Sequence, residues 1–263
     1  VQPQQPEQKR FHIEVLSPRQ QAPDLEEQLD RFGARYQQVF DAGHVICVPD
    51  NPLGKLAFQG TELIEELKLP VAPGRISIHL NTFHTRQSLD RILRSAAELG
   101  ICDILVISGD GSERQPKLRG GDIGIDVPSV TSVELIAYVH REFPNTFAVG
   151  VAFNPYEPQP HELAKMKRKL DAGAVSVTTQ PIIGKHPALA ALREFGIPIF
   201  VEAWMSKRLH LLADCVGYEI PADAGYDPLA NLRELVANYS DCGFYLSMLG
   251  FKTQFPCLGE IWS

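Results

Sequence analysis

Residues 75–108 read RISIHLNTFHTRQSLDRILRSAAELGICDILVIS, and this stretch decides the fold. It opens on a short β-rich run, RISIHLNT, and closes on another, DILVIS. Between them Leu89, Ile92, Leu93, Ala96, Ala97 and Leu99 recur at helical spacing and Gly100 supplies a helix stop. A strand, an amphipathic helix and a second strand in this order form a β-α-β unit. Runs as apolar as DILVIS suit strands of a parallel sheet buried on both faces. The unit repeats outward in both directions. Strands are expected at 11–16, 44–49, 75–82, 103–108, 147–153, 174–180, 198–204 and 243–248. Helices are expected at 23–39, 53–67, 87–99, 130–143, 160–172 and 187–195, then helical chain to about 239 and a short tail after the last strand. Eight such units predict an α/β fold of the (β/α)8 TIM-barrel type, with an open doubly wound sheet as the runner-up.

The 263 residues suit one barrel domain, expected over 11–263, with the polar segment 1–10 as a flexible tail. A net charge of -7 argues against nucleic acid as a partner, which calls for a basic face. No apolar run is long enough to span a bilayer, so no membrane partner is expected. Five cysteines without C-x-x-C spacing favour free thiols, a cytoplasmic location and no metal site. The sequence leaves a homo-oligomer open.

Barrel chemistry sits at the C-terminal ends of the strands. That rule selects Glu14, Pro49, Asp50, His79, Asn81, Asp110, Asn154, Gln180, Glu202 and Ser247. Glu14 lies in an otherwise apolar strand, where a carboxylate is costly unless it is paired or serves as an acid. Taken alone, His79 reads first as a core histidine, and Asp110, in SGDG, as a turn residue. The amide of Gln180 both donates and accepts, which suits the edge of a heterocycle or a turn cap. The cations of KMKRK (165–169) form either a solvated helix face or a phosphate grip. No lysine lies inside an expected strand, which disfavours a Schiff-base lyase or aldolase.

Three stretches carry a family resemblance: KRKLDAGAVSVTTQ (167–180), the pair ISIHLNT and DILVISGD, and IEVLSPR (13–19). In this order they resemble methylenetetrahydrofolate reductase, the flavin-dependent barrel oxidoreductase of one-carbon metabolism. The resemblance implies reduction of 5,10-methylenetetrahydrofolate to 5-methyltetrahydrofolate by NAD(P)H, with FAD as the hydride carrier. It assigns Glu14 as the acid that protonates the folate as its five-membered ring opens. It assigns Asp110 to the flavin and the pterin, His79 to the flavin ring and Gln180 to the folate. Glu162, Arg168 and Lys169 would hold the ribityl chain and phosphates of the cofactor. Several positions depart from the pattern. The first motif lacks its aromatics, Ser108 stands where an arginine is expected, and Phe153, Asn154 and Pro155 replace a Tyr/His pair. These departures fall on the flavin side, so weak or absent FAD binding is expected, with direct hydride transfer from NAD(P)H as one form of the reaction. A folate-binding accessory subunit of a methyl-transfer or demethylation system, without reductase activity, is the alternative. Glu202 and Trp204 have no counterpart in the resemblance.

Overall fold

The structure is a computed structural model that describes residues 10–111, 115–221 and 224–262. Residues 1–9, which make up most of the expected tail, lie outside the described residues. Eight parallel strands close into one barrel in chain order. They are β1 (Phe11–Glu14), β2 (Val45–Val48), β3 (Ile76–Leu80), β4 (Asp103–Val106), β5 (Ala148–Phe153), β6 (Ser176–Thr179), β7 (Ile199–Trp204) and β8 (Gly243–Ser247). The ring closes through β8, where Tyr245 pairs with His12. The outer layer holds α1 (Leu25–Asp41), α2 (Gly60–Glu66), α3 (Arg86–Glu98), α4 (Ser132–Glu142), α5 (Gln159–Asp171), α6 (Ala188–Arg193), α7 (Leu209–Val216) and α8 (Pro228–Asn238).

Helix α3 shows how the local signals act. The Thr85 side chain accepts from the backbone N–H of Ser88 at 3.1 Å, which caps the start. Leu89, Ile92, Leu93 and Ala96 form the buried face. Gly100, at φ 75°, ends the helix in the left-handed conformation that glycine tolerates best.

Three expectations need correction. The helix expected over 53–67 is a 3-10 turn at Pro52–Gly54 followed by the separate α2. Asn51 and Leu53 both adopt positive φ there, which an α-helix cannot continue through. The helical stretch after β7 is two helices, interrupted at Gly217 (φ 75°) and restarted by Asp227, whose carboxylate caps the N–H groups of Leu229 and Ala230. The segment after β8 is also more than a tail. It forms a 3-10 turn at Phe255–Glu260, and Trp262 stacks on Phe11 with ring centroids 4.9 Å apart.

The apolar core lies between barrel and helices. Outward-facing Ile13, Ile46, Ile78, Ile104, Val151, Val177 and Val201 are all buried. The barrel interior is different. Paired residues in a tilted barrel are offset along its axis, so residues at one height come from alternate strands. Following the register, Glu14, His79, Ala152 and Glu202 share one tier. Cys47, Leu105, Thr178 and Tyr245 lie below it, and His12, Ser77, Gly150 and Phe200 below those. Branched apolar residues usually fill these tiers. Here, apart from Leu105 and Phe200, polar, small and aromatic-hydroxyl side chains do, and the lower end keeps a cavity of about 290 Å³ lined by Ser77, Asp103, Ser176 and Tyr245 among others.

Candidate active site

The tier that carries Glu14 defines the site. The Tyr245 hydroxyl donates to one oxygen of Glu14 at 3.1 Å, and the backbone N–H of Met248 donates to the other at 3.3 Å. Met248 holds a positive φ of 58°, a strained conformation for a methionine, and the turn it makes after β8 aims its N–H at the carboxyl. Burial pushes the Glu14 pKa up to about 6, although both hydrogen bonds act in the opposite direction. On β7, two strands round the barrel from β1, burial pushes Glu202 up to about 8, and the nearby Glu14 adds to the shift against a hydrogen bond to Ser247. At neutral pH, therefore, Glu202 retains its proton and Glu14 titrates just below neutrality. His79 is driven the other way, to about 4, by burial that outweighs the charge of Asp50. Its imidazole is neutral, and its Nε2 has no hydrogen-bond partner among the described residues.

The remaining assigned residues spread around this tier. Gln180 sits half-buried just past β6, and its backbone N–H donates to the Phe153 carbonyl at 2.8 Å. Asp110 is exposed on the loop after β4. That loop is held close to β3, since a Cβ on Gly109 would lie 2.5 Å from Asn81 Cβ. Burial, Glu202, Asp214, Asp110 and Glu14 together raise the Cys215 thiol on α7 to about 11. Next to them lies an apolar wall. Trp204, at the end of β7, packs with Leu209, Leu212 and Val216 of α7, flanked by Tyr156, Tyr226 and Met248.

The residues assigned to the cofactor's ribityl chain and phosphates do not come together as expected. Lys169 is buried, and its ammonium donates to the Ala152 carbonyl at 2.6 Å. Burial lowers its pKa to about 8, although Glu162 opposes the shift. Glu162 is also buried; it accepts from the Asn154 N–H at 3.1 Å and pairs with Lys165 at 2.6 Å. Both side chains pin α5 to the end of β5. Arg168 alone is exposed, on the last turn of α5. Lys169 is therefore no part of a solvated phosphate grip, because its long stem carries the charge inward to a strand-end carbonyl.

Asp50 and Asn81 also take structural roles. The Asp50 carboxylate accepts from the Asn51 and Gln59 side chains and from the Asn81 N–H, and pairs with His84 at 2.6 Å. Tyr245, Met248 and His84 were not selected by the strand-end rule. Tyr245 lies mid-strand, the contribution of Met248 is a backbone N–H, and His84 acts from a loop. For Tyr245, inward parity with Ser247 on β8 was the one available signal.

Among the described residues no group of three or more His, Cys, Asp or Glu side chains is placed to hold a metal, and no helix is long and apolar enough to cross a membrane. The carboxyl tier offers a proton donor beside an apolar wall with an amide at its rim, which suits a nitrogen heterocycle.

Residues 58–187 match the family model described as methylenetetrahydrofolate reductase. The match contains His79, Asp110, Glu162, Arg168, Lys169 and Gln180, while Glu14 and Glu202 lie outside it. No curated protein matches the chain in sequence. Among solved structures, one similar protein is an uncharacterised protein from Clostridium thermocellum that binds two copies of 5-methyl-5,6,7,8-tetrahydrofolic acid. It is 9% identical, the alignment covers 90% of this chain and 88% of that one, and the TM-score is 0.52. A dihydropteroate synthetase structure is 14% identical, with 90% and 88% covered and a TM-score of 0.50. At these identities the structural likeness shows the barrel fold alone. It is the sequence match that ties the chain, over residues 58–187, to the methylenetetrahydrofolate reductase family.

Proposed function

We propose that the protein reduces 5,10-methylenetetrahydrofolate to 5-methyltetrahydrofolate with a hydride taken directly from NAD(P)H. The observation that carries this reading is the enclosed Glu14 carboxyl, raised to about 6 and held between Tyr245 and Met248 at the mouth of the barrel. Opening the imidazolidine ring of the folate needs a proton on the departing nitrogen. A carboxylic acid with a pKa near the working pH supplies it efficiently. The resulting iminium carbon accepts the hydride, and the reaction consumes one proton per turnover. Gln180 offers an amide to the edge of the pterin. Trp204 and its neighbours form the dry wall against which stacked rings exclude water. Glu202, neutral at pH 7, adds no charge that would stabilise the cationic iminium before hydride arrives. Its hydroxyl is available as a donor beside Glu14.

FAD does not fit the residues assigned to it. Lys169 and Glu162 are committed to β5 and Lys165, so Arg168 is the one assigned phosphate-side group left exposed. With Ser108 in place of an arginine, at least two charge-assisted contacts are missing, each worth roughly 1.5–3 kcal/mol. No step of the reaction is therefore routed through a flavin.

Titration of the protein with FAD, followed by flavin fluorescence, is expected to show no quenching at micromolar concentration. In the same preparation NADH oxidation at 340 nm should depend on methylenetetrahydrofolate and be unaffected by added FAD. A submicromolar FAD dissociation constant would return the chain to the ordinary flavoprotein reaction.

A further inference from the structure

After Glu14 the chain leaves the barrel and turns into α1 through residues 16–23. This turn and the first half of α1 enclose a pocket of about 410 Å³. Gln28, Arg31 and Arg35 recur at helical spacing along α1 and line it. Arg19 lines it from the turn, and Phe32, buried, contributes to its floor. The turn itself is fixed: Gln20 N–H donates to the Leu56 carbonyl at 3.2 Å, and Phe58 N–H donates to that of Pro18 at 3.0 Å.

Two independent observations point to a ligand. First, Ser17 lines the pocket at 8% exposure, and its hydroxyl has no hydrogen-bond partner among the described residues. A buried hydroxyl left in this way is costly. Second, the guanidinium groups are incompletely neutralised. Arg31 pairs with Glu27 on its own helix. Arg35, half-buried, lies 5.0 Å from the ring centroid of Phe251 and forms no ion pair with a carboxylate among the described residues. Burial and the neighbouring Arg31 both disfavour its charge. Arg19 likewise has no ion-pair partner among the described residues.

We infer that this pocket binds an oxyanion, a carboxylate or phosphate at the far end of a ligand whose reacting ring lies over Glu14. The placement of the ring rests on the proposed reductase reading, whereas the anion site rests on the pocket alone. Guanidinium groups recognise both anions through paired N–H donors, and the Ser17 hydroxyl adds a second kind of contact. Two sources supply such a group: the γ-linked glutamate carboxylates of a folate tail, and the phosphates of a nicotinamide dinucleotide.

Calorimetry on the full chain distinguishes them. Inorganic pyrophosphate, NADH, and 5-methyltetrahydrofolate as mono- and triglutamate are titrated into wild type, Arg35→Gln and Arg19→Gln. Arg19 is exposed, so its variant leaves packing intact if Arg35→Gln disturbs the Phe251 contact. Pyrophosphate is expected to bind wild type and to weaken ~10-fold in each variant, the effect of losing one charge-assisted contact. If the carboxylates are the occupant, triglutamate binds ~10-fold tighter than monoglutamate in wild type and loses that advantage in both variants. If the phosphates are, NADH weakens instead and the two folates stay equal. Pyrophosphate and NADH affinities that do not change in either variant, with triglutamate no tighter than monoglutamate, would overturn the site. Failure of the reductase reading looks different: folate monoglutamate would not bind, while pyrophosphate would remain arginine-dependent.

Discussion

Glu14→Gln is expected to lower turnover by ~10²-fold or more, the usual effect of losing a general acid, while folate binding persists. Glutamine keeps the shape of the side chain; its carbonyl oxygen can still accept from the Met248 N–H and its NH2 can donate to the Tyr245 hydroxyl, but it has no acidic proton to give. The pH profile provides the sharper signature. Glu14 must be protonated to act, and its pKa is raised to about 6, so wild-type turnover should fall as pH rises through that value. In Glu14→Gln the residual rate should lose this limb. Steady-state kinetics between pH 5 and 8 test both points. Wild-type turnover in the variant, or a wild-type profile flat across this range, removes Glu14 from the proton-transfer step.

Glu202→Gln is expected to stabilise the protein at alkaline pH. Glutamate ordinarily titrates near 4.5, whereas Glu202 in the fold titrates at about 8. Between those values the folded state keeps a proton that the unfolded chain has released. The stability associated with the neutral carboxyl is therefore fully present below about 4.5 and declines as pH rises through about 8. The slope is about 1.4 kcal/mol per pH unit for one such group. Glutamine carries no such linkage. Urea denaturation should show the variant close to wild type at pH 4.5 and more stable by an amount on the order of a few kcal/mol at pH 8. Parallel stability profiles for the two proteins would mean that Glu202 is ionised in the fold across this range. Glu202, two strands from Glu14 in the same tier, would then place a full negative charge beside the reacting carbon.

The barrel was legible because its signals are local and repeat. Each of the eight expected strands lies within two residues of an observed one at both ends. The alternation of apolar runs with patterned helices needs no tertiary information. The errors arose where backbone conformation overrides composition. The positive φ values at Asn51 and Leu53 break a segment whose residues read as helix formers. The site was legible to the extent that strand ends could be located. Glu14, His79 and Glu202 were selected from three different strands, but their meeting in one tier depends on the offset between strands, which no single segment encodes. The basic run 165–169 shows the limit from the other side. Its spacing suited either a solvated face or a phosphate grip, and Lys169 is in neither, because the direction of a long side chain is decided by the carbonyl it finds. The hydroxyl of Ser17, without a hydrogen-bond partner, and Arg35, without an ion-pair partner, among the described residues have no sequence signature, since both are defined by what surrounds them in space.

Direct hydride transfer onto a folate bound over Glu14 is tested most directly with NADH deuterated at the transferring position of C4, methylenetetrahydrofolate and the purified protein without added flavin. Mass spectrometry of the product reads the outcome. One deuterium in the methyl group of 5-methyltetrahydrofolate, formed in step with NADH loss, is the predicted result. Absence of 5-methyltetrahydrofolate, with NADH unconsumed while the folate remains bound, would contradict the reductase reading and leave a folate-binding barrel without this chemistry.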